Sequence, residues 1–145
     1  MKKELKTSIE IQASAQQIWK VLTQFNEYPS WNPLIKKLSG KQSLSAQLEV
    51  HIAPANRKPM VFRPIVLEYE QDKTLRWLGK GPIKGLFDGE HYFIIEELEA
   101  KKCRFVHGEK FSGILVGLMP KLLRDTETGF NNMNQSLREK CEGGD

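Results

Sequence analysis

Along residues 87–113 apolar and polar side chains alternate in two runs separated by a turn. Phe87, Gly89, His91, Phe93 and Ile95 share one parity, and Cys103, Phe105, His107, Glu109 and Phe111 share one in the run that follows. Successive side chains of a strand point to opposite faces. The spacing therefore predicts a hairpin whose inner face carries aromatic rings with two histidines and one carboxylate among them. The other parity holds Asp88, Glu90, Tyr92, Ile94 and Glu96, then Lys102, Arg104, Val106, Gly108 and Lys110, and reads mostly as a solvated face. An aromatic, slightly polar face suggests a lined pocket more than a dry core.

The remaining pattern supplies what would close such a pocket. Leu5, Thr7, Ile9 and Ile11 alternate with polar residues and predict a first, half-buried strand. Ser14 followed by Gln17 is a capping box, and Ile18, Val21, Leu22 and Phe25 continue it at helical spacing, with Trp19 beside them. Tyr28-Pro29-Ser30-Trp31-Asn32-Pro33 then predicts a short, broken helix or bent connector, since each proline disfavours helix at the residue before it. About six strands are expected after it, with a turn at residues 54–59 and a hairpin turn at Gln71-Asp72-Lys73. Pro64 interrupts the run from Met60 to Tyr69, which argues for an edge or bulge. From Leu118 the period changes: Leu118, Leu122, Phe130, Met133 and Leu137 recur at three- and four-residue steps, predicting a helix of about 20 residues and roughly 30 Å. Pro120 suits its first turn, Gly143-Gly144 its end, and Gly129 would let its backbone approach the sheet. A curved antiparallel sheet wrapped around this long helix buries both apolar faces at once.

Composition narrows the functional classes. A chain of 145 residues reads as one domain and can bury roughly 70% of its unfolded surface without staples. The formal charge of +4 is spread out, with only isolated pairs at Lys36-Lys37 and Lys101-Lys102, which argues against a nucleic-acid footprint. No run approaches the ~18 apolar residues of a membrane span, so no integral membrane contact is expected. The N-terminus lacks the apolar stretch of a signal peptide. Cys103 and Cys141 have no metal-like spacing and read as reduced thiols of a cytoplasmic protein. Residues 79–85 are glycine-rich, yet match neither a P-loop nor a dinucleotide fingerprint, and read as a strand connection at a pocket rim.

In this order and spacing the pieces resemble the SRPBCC superfamily, also called START-like or Bet v 1-like. The resemblance is to its small polyketide cyclase/dehydrase and lipid-transport branch. It is carried by the first strand with Ser14 to Trp19, the segment from Tyr28 to Pro33, Leu75-Arg76-Trp77, Gly89-Glu90-His91-Tyr92-Phe93, residues 107–113, and Gly129-Phe130 through Leu137. It implies an α+β helix-grip fold over the whole chain, with two short helices after the first strand. It further implies a mostly apolar cavity between sheet and C-terminal helix for a lipid, polyketide or similar molecule. No family catalytic motif matches residue by residue, and none is carried over.

The candidate ligand-binding residues are Trp31, Phe62, Trp77, Phe87, His91, Phe93, Phe105, His107, Glu109, Phe111, Leu118, Phe130 and Met133. Trp31 reads as an anchor of the connector or as part of the cavity mouth. For His91, His107 and Glu109 three readings stay open: a structural hydrogen-bond network, groups that orient a ligand, or an acid–base set. A zinc site from the same three lacks compact spacing, and no cofactor or metal is implied. Three functions compete: a carrier or sensor of a small hydrophobic molecule, a cyclase/dehydratase-type enzyme, and a protein-interaction module. The expected partner is the small molecule; a homodimer is left open.

Overall fold

A computed structural model describes residues 2–80, 85 and 88–143. The N-terminal strand β1 (Lys2–Ile11) leads into α1 (Ala15–Thr23), whose Ser14 side chain accepts from the Gln17 amide while Gln17 accepts from the Ser14 amide. That reciprocal pair satisfies two of the amides a helix start leaves open. A single 3-10 turn (Phe25–Glu27) passes the chain to the four-residue α2 (Tyr28–Trp31). The buried Asn32 ends it, accepting from the amides of Leu34 and Ile35 at 2.9 and 2.8 Å.

Among the described residues seven strands follow: β2 (Ile35–Ser39), β3 (Glu49–Ile52), β4 (Met60–Phe62), β5 (Ile65–Glu70), β6 (Thr74–Lys80), β7 (Asp88–Glu99) and β8 (Lys102–Ser112). They do not form one continuous sheet. A five-stranded sheet runs β1-β8-β7-β6-β5 and a three-stranded one β2-β3-β4, with every neighbouring pair antiparallel. Pro64 lies where the chain leaves one for the other, because it has no amide to continue a ladder. The two pieces are stitched at that point: Leu48 N donates to Pro64 O and Val66 N to Ala46 O, each at 2.9 Å. The result is the expected curved, antiparallel grip.

The long helix α3 (Pro120–Glu142) has 23 residues, roughly 34 Å at about 1.5 Å per residue. Its buried stripe, Leu123, Thr126, Phe130, Met133, Leu137 and Cys141, lies across the concave face of the sheet. Gly129 allows a close approach, though not to the larger sheet. A Cβ there would stand 2.8 Å from Leu34 Cδ1 and meet the turn at Pro54 and Ala55. The helix begins at Pro120, so Leu118 does not belong to its stripe as the periodicity suggested. It sits in a 3-10 turn (Val116–Leu118) with 76% of its surface exposed. Both cysteines are free and buried, and burial, helped by Glu142, pushes the Cys141 thiol up to about 12.

The inner parity of the β7–β8 hairpin is as the alternation required: His91, Phe93, Ile95, Cys103, Phe105, His107 and Phe111 are all buried. The outer parity is less solvated than expected. Tyr92, Val106 and Gly108 are buried there too. The Tyr92 ring lies over Gly108, where a side chain would collide with it, and its hydroxyl donates to Glu4 at 2.6 Å.

Candidate functional site

Antiparallel register brings the polar residues of the concave face into two adjacent rows. One row is Trp77, His91, Glu109 and Leu5; the next is Leu75, Phe93, His107 and Thr7. Facing residues in such rows are about 5 Å apart, close enough to interact directly. Rings pack the histidines in place: Trp77 stacks on His91 at 5.2 Å and Phe130 from α3 stacks on His107 at 4.1 Å.

Hydrogen bonding links these rows to the helix. His91 Nε2 and His107 Nε2 are 2.8 Å apart, and His107 Nδ1 is 2.9 Å from Asn134 Oδ1. Asn134 Nδ2 donates to Thr7 Oγ1 at 2.8 Å, and the Thr7 hydroxyl donates to the His107 carbonyl at 2.8 Å. These contacts fix the protons by elimination. With its amide nitrogen on Thr7, Asn134 turns its oxygen to His107, so His107 Nδ1 carries a hydrogen. Burial first, then the neighbouring His91, holds the His107 pKa well below its ordinary value, against an opposing pull from the Asn134 bond. His107 is therefore neutral and its Nε2 accepts, which makes His91 Nε2 the donor. Every donor in the chain points away from the pocket and towards a backbone carbonyl. Aligned chains of this kind polarise one another and rigidify the site.

The pocket end is different. His91 Nδ1 is buried and has no hydrogen-bond partner among the described residues, while the Glu109 Oε1 atom lies 3.4 Å away, at ion-pair distance. Glu109 keeps this position because residue 89 is glycine: a Cβ there would run into the carboxylate. With Nε2 turned to His107, the His91 ring presents Nδ1 to the Glu109 carboxyl, whose oxygens are the polar surface offered to a ligand.

That surface borders a cavity of about 70 Å³ between sheet and helix. Trp77, Gly79, Gly89, His91, Glu109 and Phe111 supply one wall, Leu122, Thr126 and Phe130 of α3 the opposite one, and Val50, Ile52, Pro54, Met60, Phe62 and Pro64 the side. Its half-exposed members, among them Met60, Phe62, Gly79, Gly89, Glu109 and Leu122, mark where it opens. Thr126 spends its hydroxyl on the Leu122 carbonyl at 2.7 Å, so the polar groups not tied to the helix backbone are Glu109 and His91.

Of the residues the sequence singled out, Phe62, Trp77, His91, Glu109, Phe111 and Phe130 stand on this wall. Phe93, Phe105 and Met133 lie behind it in the core, with the fully buried His107 among them. Trp31 packs edge-on against Tyr28, 5.2 Å between centroids, away from the cavity, and Leu118 is on the surface. Phe87 and most of the glycine-rich connection at 79–85 fall outside the described residues. The sequence reading missed Thr7 and Asn134 as members of the network. Their signal was a polar residue inside an apolar series, Thr7 between Leu5 and Ile9, and Asn134 between Phe130 and Leu137. Among the described residues no group of three or more His, Cys, Asp or Glu is arranged to hold a metal ion, and no helix is long and apolar enough to cross a membrane.

Solved structures share this architecture at low sequence identity. The aromatase/cyclase Zhui of a Streptomyces species superposes with a TM-score of 0.76 at 12% identity, over 98% of this chain and 94% of its own. A START superfamily protein from Mycobacterium smegmatis gives 0.73 at 19%, covering 97% of each chain. Norcoclaurine synthase from Thalictrum flavum, bound to a transition-state analogue, gives 0.70 at 13%, over 99% and 96%. At such identities the likeness establishes the helix-grip fold alone. No curated protein matches the chain in sequence. The family model described as polyketide cyclase / dehydrase and lipid transport matches residues 2–140. With nearly its whole length inside that match, the chain belongs to the polyketide cyclase/dehydrase and lipid-transport family.

Proposed function

We propose that the protein binds a small hydrophobic molecule, a lipid, polyketide or similar compound, in the cavity between sheet and α3, as a carrier or sensor. The observation that carries this reading is the one-way hydrogen-bond chain. It supports an apolar pocket that presents an acceptor, the Glu109 carboxyl backed by His91, and so suits a ligand with one hydrogen-bond donor such as a hydroxyl. Ligand sites are commonly apolar with a few placed polar groups of this sort. The enclosed space is less than the roughly 150 Å³ that admits a benzene ring. A ligand therefore enters by displacing rim side chains, and the unbranched Met60 and half-exposed Leu122 are the ones free to yield.

Native mass spectrometry of gently purified protein, set against the denatured mass, tests for a retained ligand. A thermal-shift series of alcohols paired with their methyl ethers then tests the acceptor. The parent protein should prefer each alcohol, and Glu109→Gln should lower that preference roughly tenfold, as loss of one charge-assisted hydrogen bond does. Equal affinity for both members of every pair in the parent would sink the reading. The 3.4 Å approach of His91 Nδ1 to the Glu109 carboxyl favours a second reading, acid–base catalysis of the cyclase/dehydratase kind in the same cavity. It requires a bell-shaped pH–rate profile, and Glu109→Gln must then abolish turnover while binding persists.

A further inference from the structure

The two most exposed large apolar side chains among the described residues are Leu118, at 76%, and Ile114, at 69%. Both lie on the segment between β8 and α3, where residues 111–120 carry no charge at all (Phe-Ser-Gly-Ile-Leu-Val-Gly-Leu-Met-Pro) and Lys110 and Lys121 flank it. Two apolar chains held out in water on one short segment are not scattered surface residues; they mark an interaction site. Val116 between them is buried and anchors the segment, and Ile114 N donates to Gly85 O at 3.2 Å. The tips thus stand on a braced support.

Position and charge identify what covers them. The segment joins Phe111 to α3, whose Leu122 lies on the facing wall of the cavity, so the tips stand beside its opening. Around that opening the exposed Lys58, Lys121 and Arg124 make no ion pair among the described residues; of the acids nearby, Asp125 is held by Arg57 at 2.9 Å, Asp88 accepts from the Gly85 amide at 3.2 Å, and the exposed Glu127 follows Arg124 by three residues. The N-terminal end of α3 adds a partial positive charge of its own. At the far end of the sheet charges of both signs are paired instead: Glu10 with Lys102 at 3.7 Å and Glu96 with Arg104 at 3.5 Å. Apolar tips inside a basic rim match a bilayer with anionic headgroups, which takes the aliphatic chains into its interface and attracts the cations.

We propose that this end of the molecule docks on an anionic lipid surface, with Ile114 and Leu118 inserted and the cavity opening turned to the membrane. Docking goes beyond the ligand reading and stands without it. The test is co-sedimentation with phosphatidylcholine vesicles, with and without phosphatidylglycerol, in about 0.1 M salt, where screening still lets charges act over about 10 Å. The parent protein should bind the anionic vesicles and bind the neutral ones far less. Ile114→Ser with Leu118→Ser should weaken binding roughly tenfold or more, because two aliphatic chains then stay in water. Lys121→Glu with Arg124→Glu should weaken it on anionic vesicles only. Glu109→Gln should leave it unchanged, which separates docking from ligand binding. All these positions are at least partly exposed, and unchanged circular dichroism would verify folding. Failure of the parent to bind either vesicle, or parental binding by the double serine variant, overturns the proposal. So does a lipid-free dimer that the serine substitutions dissociate, since that would assign the tips to a second copy of the chain.

Discussion

The two faces of the β7–β8 hairpin carry polar networks of opposite design. On the concave face, His91, His107, Asn134 and Thr7 are nearly dry, neutral where it matters, and joined in a single direction. On the convex face, Arg76 bridges Glu68 at 2.7 Å and Glu90 at 2.8 Å and lies 4.8 Å from the centre of the Tyr92 ring, while Tyr92 donates to Glu4. There each carboxylate has its own donor near water. On the concave side the bookkeeping leaves one acceptor, and it faces the cavity. Alternate residues of the same strands thus build a structural clamp outside and a poised site inside.

Substitutions can break this contrast. Phe130→Ala, which removes a fully buried ring from the cavity wall and from His107, should cost about 3–5 kcal/mol in urea unfolding and alter ligand binding as well. Asn134→Leu keeps the volume but strands the His107 N–H, and should cost about 2–3 kcal/mol. Its ligand affinity should fall too, because the direction of the chain is lost. Gly108→Ala on the convex side would press a methyl group into the Tyr92 ring and stand 2.7 Å from the Leu5 carbonyl oxygen. It should cost about 1–3 kcal/mol with ligand selectivity intact. A convex change that altered selectivity would undo the division of labour.

Acidity sharpens the same comparison. The folded pKa of His107 lies below its unfolded value of about 6.5, so the unfolded chain takes up a proton that the folded one refuses. Its contribution to stability is complete above about pH 6.5 and is lost as pH falls from there through the folded value, at up to about 1.4 kcal/mol per pH unit. Thermal midpoints between pH 7.5 and 5 should decline in the parent and flatten in His107→Phe. Smallest of all, Arg76→Ala should cost under about 1 kcal/mol and leave ligand binding alone, because its partners are half exposed.

Strand parity is local, and it sufficed to aim His91, His107 and Glu109 at one face. Their partners were not legible, since Thr7 meets His107 across 100 positions of sequence and Asn134 arrives from a helix whose rotation no local pattern states. Periodicity also misled at Leu118, where apolar spacing continues past the true helix start at Pro120. The division of the sheet at Pro64 was visible as a break; that the chain changes sheets there needed the pairing itself. Tyr92 escaped because a phenol reaching over glycine buries itself on a face whose pattern is charged.

Nitrogen NMR of the protein labelled with 15N-histidine tests the network most directly, since ring nitrogen shifts report which atom bears the proton. With a neutral His107 protonated at Nδ1, its Nε2 should keep the shift of a bare acceptor from pH 8 down to about pH 6, the range in which an ordinary histidine titrates, and His91 should carry its proton at Nε2. A His107 protonated at Nε2 would contradict the account, because the chain would then run the other way and the cavity would meet no poised acceptor.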